Sequence, residues 1–402
     1  MRLKPESLAM TVLLAFMTAL GPLSTDIYLA SMPHISEALG ASTGAVQLTL
    51  SLYLVGFAFG QIFYGPLSDK YGRRPVLLAG FAIYLVATTA CIFASSIQTL
   101  IAARMVQAVG AAGPIVLARA IVRDLYEGSR AARQLGIMST IMGITPIGAP
   151  VLGGFLEAYF GWRSSFVGMG VIGLVIGLNG LLFLPETNHN KRGEPLSIGS
   201  IFASFAMVSR NGAFRSYLSI QALGYCGLFG FLSGSSYVLQ KVFGFSSVQF
   251  GLTFALCSMS YITATTIGTK LITSRGLEGL IRMGVALMCA GGVLQVLAYA
   301  LLPGVFLALT IPQMLYFLGM GFTLPQTMAA SLTPFPERAG AASSLMGFIQ
   351  MTSASVVGAI MGASFGATAW PLVTVMALAG VCVFSVFHLT ASARPAGTRS
   401  FH

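Results

Sequence analysis

Charged side chains are scarce in this chain. Asp, Glu, Lys and Arg together make up 8% of its 402 residues, whereas hydrophobic residues make up 55%. A soluble domain carries about a quarter charged residues, so a protein of this composition lacks a surface suited to water. The scarcity excludes an ordinary soluble domain and indicates that the surroundings of the chain are lipid.

Acidic residues are the rarer charge, with 11 Asp and Glu against 22 Lys and Arg, and the net charge is +11. The cations do not form the patch that nucleic-acid binding requires. Nearly all of them fall in alternate gaps between apolar runs, near residues 2–4, 70–74, 123–133, 191–215, 270–282, 338 and 394–399. The intervening gaps hold only Arg163 and Lys241. This positive-inside pattern predicts that both termini lie in the cytoplasm.

Cysteine and histidine are also few and dispersed. The five cysteines lie inside apolar runs without a C-x-x-C pair, and the four histidines are scattered. The pattern indicates neither a disulfide nor a metal site, and no cofactor is expected. A membrane-embedded enzyme would need paired carboxylates, or a His or Cys cluster at one depth, so we expect a protein that is not an enzyme.

What is abundant is apolar sequence in runs of membrane-spanning length. We predict twelve transmembrane helices, at residues 8–31, 45–67, 76–94, 98–122, 134–159, 164–184, 213–240, 247–271, 280–302, 306–324, 341–365 and 371–391. A polar interval at 186–212 reads as a cytoplasmic linker between an N-terminal six-helix half, 1–185, and a C-terminal one, 213–402. Two such halves suggest a cavity between them at the middle of the membrane.

A charged loop interrupts the apolar runs between the second and third spans. It reads Gly65-Pro66-Leu67-Ser68-Asp69-Lys70-Tyr71-Gly72-Arg73-Arg74-Pro75. A charged cytoplasmic turn is the simplest interpretation, but the spacing G-x-L-x-D-x-x-G-R-R is more particular than a turn requires. It resembles the loop between helices 2 and 3 of the major facilitator superfamily of transporters, and that resemblance implies the major facilitator fold.

The same loop suggests a conformational latch. Gly65 and Gly72, the two glycines of the loop pattern, are part of it. We expect Asp69 to interact with the N-terminal end of the eleventh span near Ala341, and Arg73 to pair with Asp124 at the end of the fourth span. Exposed ion pairs contribute little to folding, so the expected effect is on the populations of transport states.

Asp26 and Arg104 are a second feature, because both interrupt apolar spans. Asp26 lies about 9 Å below the outer surface, at 1.5 Å per residue, and a carboxylate at the centre of a span costs about 2.5–3.5 kcal/mol to insert. Arg104 has a matching depth in the fourth span, so we predict that it partners Asp26 and that the two carry proton coupling. A carboxylate that reaches the outer interface is the alternative for Asp26.

Further stretches match the superfamily residue by residue. Arg104, Gln107 and Gly110 fit its pattern R-x-x-Q-x-x-G, which is associated with proton transfer and substrate binding. In the fifth span a set of small residues and prolines, which we call the helix-5 seam, fits the pattern taken to mark exporters, with Thr145 and Ala149 where glycine is preferred. The seam comprises Gly136, Pro146, Pro150, Gly153 and Gly154. Its prolines permit a bend and glycines such as Gly148, Gly153 and Gly154 allow close helix approach, so a purely structural role is the alternative.

The segment Asp26-Ile27-Tyr28-Leu29-Ala30-Ser31-Met32-Pro33 narrows the resemblance to the Bcr/CflA drug-resistance branch. That branch implies an antiporter of a bacterial inner membrane that exports bicyclomycin-type or chloramphenicol-type drugs in exchange for protons. We expect a monomer, because one chain already closes its own transport pathway. The residues expected to bind substrate are Asp26, Tyr53, Arg104, Gln107, Tyr225 and Phe229. An exporter of a physiological metabolite, such as an amino-acid derivative or metallophore, is the alternative.

Overall fold

The structure is a computed structural model that describes residues 7–126, 128–188, 198–335, 339–364 and 368–394. These residues are almost wholly helical and contain no strand. The chain divides into two compact units, Met1–Leu196 with Ser246–Gly251, and Ser197–Phe245 with Leu252–His402.

Seven helices belong to the first unit. They are α1 (Leu8–Leu29), α2 (Met32–Ala38), α3 (Thr43–Tyr71), α4 (Arg73–Ile92), α5 (Ile97–Leu125), α6 (Gly128–Phe160) and α7 (Arg163–Phe183). Side chains just before three of them satisfy the free N–H groups of the first turn. The hydroxyls of Ser7, Ser42 and Ser96 each accept a hydrogen bond of 3.2 Å from the backbone N–H three residues later, at the starts of α1, α3 and α5.

Further helices follow in the chain. They are α8 (Ile198–Ser209), α9 (Gly212–Tyr237) with a π-helical turn (Val238–Val242), α10 (Ser247–Leu301), α11 (Leu307–Leu332), α12 (Ala339–Ser364), α13 (Trp370–Leu389) and a 3₁₀ turn (Ala391–Ala393). Asn211 caps α9 by accepting a 3.0 Å hydrogen bond from the Phe214 N–H.

The predicted number of membrane crossings is confirmed. Eleven helices in the described part of the chain are long and apolar enough to cross a membrane, and one of them, α10, has 55 residues. A crossing needs about 20 residues, and Gly276 breaks α10 with a φ of 66° and a ψ of 173°. The two parts of α10 therefore provide two crossings, which brings the total to the expected twelve.

Glycines let the helices of the first unit approach closely. A Cβ on Gly56 of α3 would lie 2.5 Å from the carbonyl oxygen of Met105 in α5, and one on Gly110 of α5 would lie 2.5 Å from the backbone nitrogen of Tyr84 in α4. Because these neighbours are backbone atoms, a side chain could not move aside. Gly110, the glycine of the R-x-x-Q-x-x-G pattern, thus allows α5 to pack closely against α4.

The predicted linker, 186–212, is in part a helix. Residues 189–197 lie outside the described ranges, and the division between the two units falls at Leu196 and Ser197. Beyond it, Phe205 and Val208 of α8 are buried in an apolar cluster with Phe214, Leu345 and Met346. The polar residues at the start of the interval hid the apolar spacing of its second part, which packs as a helix on the second unit.

Candidate functional site

Asp26 lies near the end of α1 and is buried, with 5% of its surface exposed. The Thr25 hydroxyl lies 3.0 Å from Asp26 Oδ1 and 2.7 Å from the Pro22 carbonyl oxygen, so it can donate to either. Of the described residues, Thr25 is the one whose side chain hydrogen-bonds this carboxyl group. A buried carboxylate within a membrane-spanning helix is costly to insert, which makes Asp26 a candidate functional residue.

Arg104 of α5 is completely buried in an aromatic cage. Its guanidinium carbon lies 4.2 Å from the ring centre of Tyr53, 4.7 Å from that of Tyr28 and 5.9 Å from that of Phe166. Desolvated cation–π contacts contribute about 2 kcal/mol or more each. The three rings come from α1, α3 and α7, so the cage joins four helices through one charge.

Neutral oxygens complete the surroundings of the guanidinium. Arg104 Nη1 donates to Gln107 Oε1 at 2.6 Å and to the Ser24 carbonyl oxygen at 3.1 Å. Gln107 is oriented in turn, because its Nε2 donates to Thr88 Oγ1 at 2.8 Å. Arg104 Nε and Nη2 are buried and have no hydrogen-bond partner among the residues described. The site therefore presents unused donors of a permanent cation.

The expected ion pair between Asp26 and Arg104 does not form in the part of the chain that the structure describes. Asp26 contacts Thr25, whereas Arg104 contacts Gln107 and the Ser24 backbone. Tyr53 is close enough to both charged groups to interact electrostatically with each. Similar positions along two spans therefore do not by themselves bring the two charged groups into contact.

A charge cluster lies at the end of the first unit where α3, α4 and α5 meet, and we call it the Arg73 cluster. The Arg73 side chain donates to Asp69 Oδ1 at 2.5 Å, to Ser68 Oγ at 2.6 Å, and to both carboxylate oxygens of Asp124 at 2.8 and 3.3 Å. The contact with Asp124 is thus the one expected from the sequence. Gly72 makes the turn between α3 and α4 with a φ of 106°, which favours glycine.

Glu186 is a member of this cluster whose position the sequence did not indicate. Its carboxylate accepts hydrogen bonds from the backbone N–H groups of Arg73 at 2.9 Å and of Arg74 at 3.2 Å. It therefore caps the N-terminus of α4, where a negative charge is stabilising. Asn188 extends the contact by donating to the carbonyl oxygens of Ser68 and Asp69 at 3.2 and 3.0 Å.

The helix-5 seam separates into two kinds of position within α6. A Cβ on Gly153 would collide with the backbone of Ile27 in α1, next to Asp26, and one on Gly154 would collide with the backbone of Ser247 in the short segment that groups with the same unit. At Gly136 and Gly148 a Cβ would meet no described atom within 4 Å. The expected close approach at Gly148 is therefore wrong.

The remaining residues of the seam and the loop have ordinary surroundings. Pro146 and Pro150 both lie inside α6 without ending it. Gly65 lies inside α3, where a Cβ would meet nothing within 4 Å among the described residues. These positions are compatible with the superfamily pattern, and the structure gives them no specific contact.

Tyr225 and Phe229 belong to α9 of the second unit, where their rings stack with centres 5.9 Å apart. Sequence reasoning missed a buried amide network in the same unit, because Gln221 and Gln350 belong to none of the sequence patterns described above. The Thr327 hydroxyl donates to Gln221 Oε1, and Gln221 Nε2 donates to Gln350 Oε1 at 3.5 Å. Their occurrence within spans is the signal that could have found them.

A second charged cluster at the end of α13 was also missed. Arg394 Nε lies 3.2 Å from Glu278 Oε1, which accepts a 2.5 Å hydrogen bond from the Tyr217 hydroxyl. Arg394 Nη2 also donates to the Phe387 carbonyl oxygen at 2.7 Å. Arg394 therefore ties the chain after α13 to α9 and to the second part of α10.

Comparison with known proteins shows extensive similarity. The family model of the Major Facilitator Superfamily matches residues 14–359. A protein described as an uncharacterized MFS-type transporter, YdgK of Bacillus subtilis, is 31% identical over 94% of each chain. A bicyclomycin resistance protein homolog of Haemophilus influenzae is 28% identical over 92% of each. Multidrug resistance protein MdtL of Salmonella heidelberg is 32% identical over 85% of this chain and 86% of its own.

Solved structures agree on the fold. A D-xylose-proton symporter superposes with a TM-score of 0.72 at 14% identity, covering 93% of this chain and 96% of its own. A bacterial homolog of the human lysosomal transporter Spinster superposes with a TM-score of 0.74 at 16% identity, covering 98% and 100%. At such identities the likeness concerns the fold alone.

Proposed function

Because this chain belongs to the Major Facilitator Superfamily of membrane transporters, we propose that it exports small amphipathic drugs from a bacterial cell in exchange for protons. Support for the cargo comes from relatives named for bicyclomycin resistance and multidrug resistance. The protein then moves its substrate unchanged and is not an enzyme. It acts as a monomer in the inner membrane.

The observation that carries the proposal is the burial of both Asp26 and the caged Arg104 in the first unit. Asp26 is 5% exposed and Arg104 is fully buried. In the proposed cycle Asp26 binds a proton from the outside and releases it to the cytoplasm. Arg104, with two unused N–H donors, provides hydrogen bonds either to the ionised Asp26 or to an oxygen of the substrate. Competition between these two acceptors couples the fluxes.

The orientation follows from the distribution of cations. The Arg73 cluster and the linker lie on the side where Lys and Arg accumulate, so we place that side and both termini in the cytoplasm. The opposite end, where α1 meets α2, then faces the outside. Asp26 is nearer to this outer end.

The Arg73 cluster serves, in this proposal, as the conformational latch. Arg73 joins the ends of α3, α4 and α5 through Asp69 and Asp124. Asp69→Asn should leave the protein in the membrane at normal levels but lower its transport rate. Lys70→Gln is the matched control, because it removes a charge from the same turn and leaves Arg73 with its partners. Equal transport by both variants would argue against the latch.

The test of drug–proton exchange uses purified protein in proteoliposomes. A proton gradient should drive uptake of a bicyclomycin-type or chloramphenicol-type drug, and adding the drug should dissipate part of the gradient. Asp26→Asn should retain drug binding but lose gradient-driven transport. Glu37→Gln, which alters an exposed carboxylate on α2, is the control. Normal pumping by Asp26→Asn would show that another group carries the coupling.

A growth test addresses the cargo. A susceptible host that expresses the protein should tolerate higher concentrations of these drugs than a host that expresses Asp26→Asn at the same level. Unchanged susceptibility across a broad antibiotic panel, with active exchange in proteoliposomes, would favour a metabolite as the cargo.

A further inference from the structure

A second buried carboxylate lies near the same end of the first unit as Asp26. Glu157 is in the last turn of α6, and only 5% of its side chain is exposed. His34 Nδ1 of α2 lies 3.0 Å from Glu157 Oε1, and 44% of the His34 side chain is exposed. One member of the pair is thus sheltered from water, while the other reaches it.

His34 is the candidate counter-charge of Glu157. Among the described residues, His34 is the group within 4.0 Å of the Glu157 carboxylate that can carry a positive charge. Arg163 of α7 is engaged elsewhere, since it donates to the carbonyl oxygens of Ile92 and Ala94 at 3.1 and 3.0 Å. A buried carboxylate without a counter-charge is costly. The protonated His34 ring is therefore placed to act as the counter-charge of the buried Glu157 carboxylate.

The other titratable groups on the elements packed around the pair do not replace His34. Asp26 on α1 and Glu37 on α2 are acidic and would oppose the charge of Glu157. Tyr159 on α6 points away, with 74% of its surface exposed. The segment Ser246–Gly251, which groups with this unit, carries no titratable side chain.

The helices that carry the pair, α2 and α6, both adjoin α1, the helix that carries Asp26. Gly153 lies one turn before Glu157 in α6, and the helix packs there directly against the backbone of Ile27, the residue after Asp26. On the other side, α2 follows α1 after a two-residue break, so His34 is close to Asp26 along the chain. Both members of the pair are thus attached to the helix that carries the coupling carboxylate.

We propose that His34 and Glu157 form a proton-loading site through which a proton from outside water reaches Asp26. This inference rests on the function proposed above. His34 takes the proton at its exposed face, Glu157 holds it in the sheltered position, and the proton then passes to the ionised Asp26. The pair returns to its starting state when His34 binds another proton from water. No covalent bond other than those to the proton changes.

The first test measures the interaction between His34 and Glu157 in the absence of transport. Protein labelled with ¹⁵N at histidine is titrated by NMR, and His34→Gln identifies the His34 signal among the four histidines. In Glu157→Gln the midpoint of the His34 titration should move about one pH unit lower, because the stabilising carboxylate is gone. Glu37→Gln is the matched control and should cause a smaller change. An unchanged His34 midpoint in Glu157→Gln would overturn the proposal.

The second test measures the effect of the pair on proton-driven export. Glu157→Gln and His34→Ala should lower gradient-driven export about tenfold or more, as expected for loss of a proton-transfer group, while drug affinity stays the same. Added imidazole should restore part of the rate of His34→Ala, because that site is open to water. Wild-type export by both variants would overturn the proposal even if the titration shifts.

The two tests also separate this inference from the proposed function. If Asp26→Asn pumps normally, the function of Asp26 fails, and so does delivery of protons to it. If Asp26→Asn loses pumping while Glu157→Gln and His34→Ala retain it, the coupling role of Asp26 stands and the loading site alone is wrong.

Discussion

Adding a single methyl group at Gly153 should separate α1 from α6 next to Asp26. The Cβ of Gly153→Ala would collide with the carbonyl oxygen of Ile27 and lie 2.9 and 3.0 Å from its carbonyl carbon and Cα. All three atoms belong to backbone, so rotation of a side chain cannot relieve the contact. The helices must move apart, and overpacking of this kind costs about 1–3 kcal/mol.

Gly148→Ala is the control for this prediction. It lies in the same helix, and its Cβ would meet no described atom within 4 Å. Both substitutions gain about 1 kcal/mol of helix propensity, and this gain cancels when the two variants are compared. The remaining difference of about 1–3 kcal/mol in the free energy of unfolding is the cost of the collision with Ile27.

The assay is thermal unfolding of both variants in the same detergent, followed by circular dichroism. We expect Gly148→Ala to melt at or above the wild-type temperature and Gly153→Ala to melt below it. Drug transport should fall in Gly153→Ala as well, because α1 carries Asp26. Equal melting temperatures for the two variants would refute the close approach of α6 to α1.

Three further predictions concern individual contacts. Glu186→Ala should lower the stability of the protein by about 1–2 kcal/mol in thermal unfolding, because α4 loses its cap; an unchanged melting temperature would contradict that role. Tyr53→Leu should lower the free energy of unfolding by about 2 kcal/mol, because it removes the ring that lies over Arg104. Tyr53→Phe keeps this ring and should cost less. Equal losses in the two variants would assign the effect to the hydroxyl group. Arg394→Gln should make the chain after α13 easier to cleave in limited proteolysis, because it loses the ion pair with Glu278; an unchanged cleavage rate would count against this tie.

The number of spans could be read from the sequence because hydropathy is a local property. A run of about 20 apolar residues spans a bilayer whatever its neighbours are. The contacts of Arg73 in the loop at 65–75 could also be predicted from the sequence. They involve residues close in the chain and one partner, Asp124, at the end of a neighbouring helix. The helix within the predicted linker was missed because average polarity hides a short amphipathic segment.

The helix-5 seam shows where sequence reasoning ends. Its glycines are equivalent as letters, yet the structure places Gly153 against a backbone and Gly148 in open space. Which face of α6 meets α1 depends on the rotation of one helix about its axis. Periodicity in a helix that is apolar on all sides does not fix that rotation.

Arg104 shows the same limit for a functional residue, and its surroundings bear on the transport mechanism. Depth along a span predicted that Asp26 and Arg104 are partners, but the guanidinium lies against rings from three helices. Those rings and two neutral oxygens stabilise the cation without a carboxylate. A permanent ion pair would have held Asp26 in one state throughout the cycle. In the proposed cycle Asp26 gains and loses a proton, and Arg104 keeps these neutral partners in both states of the carboxyl group.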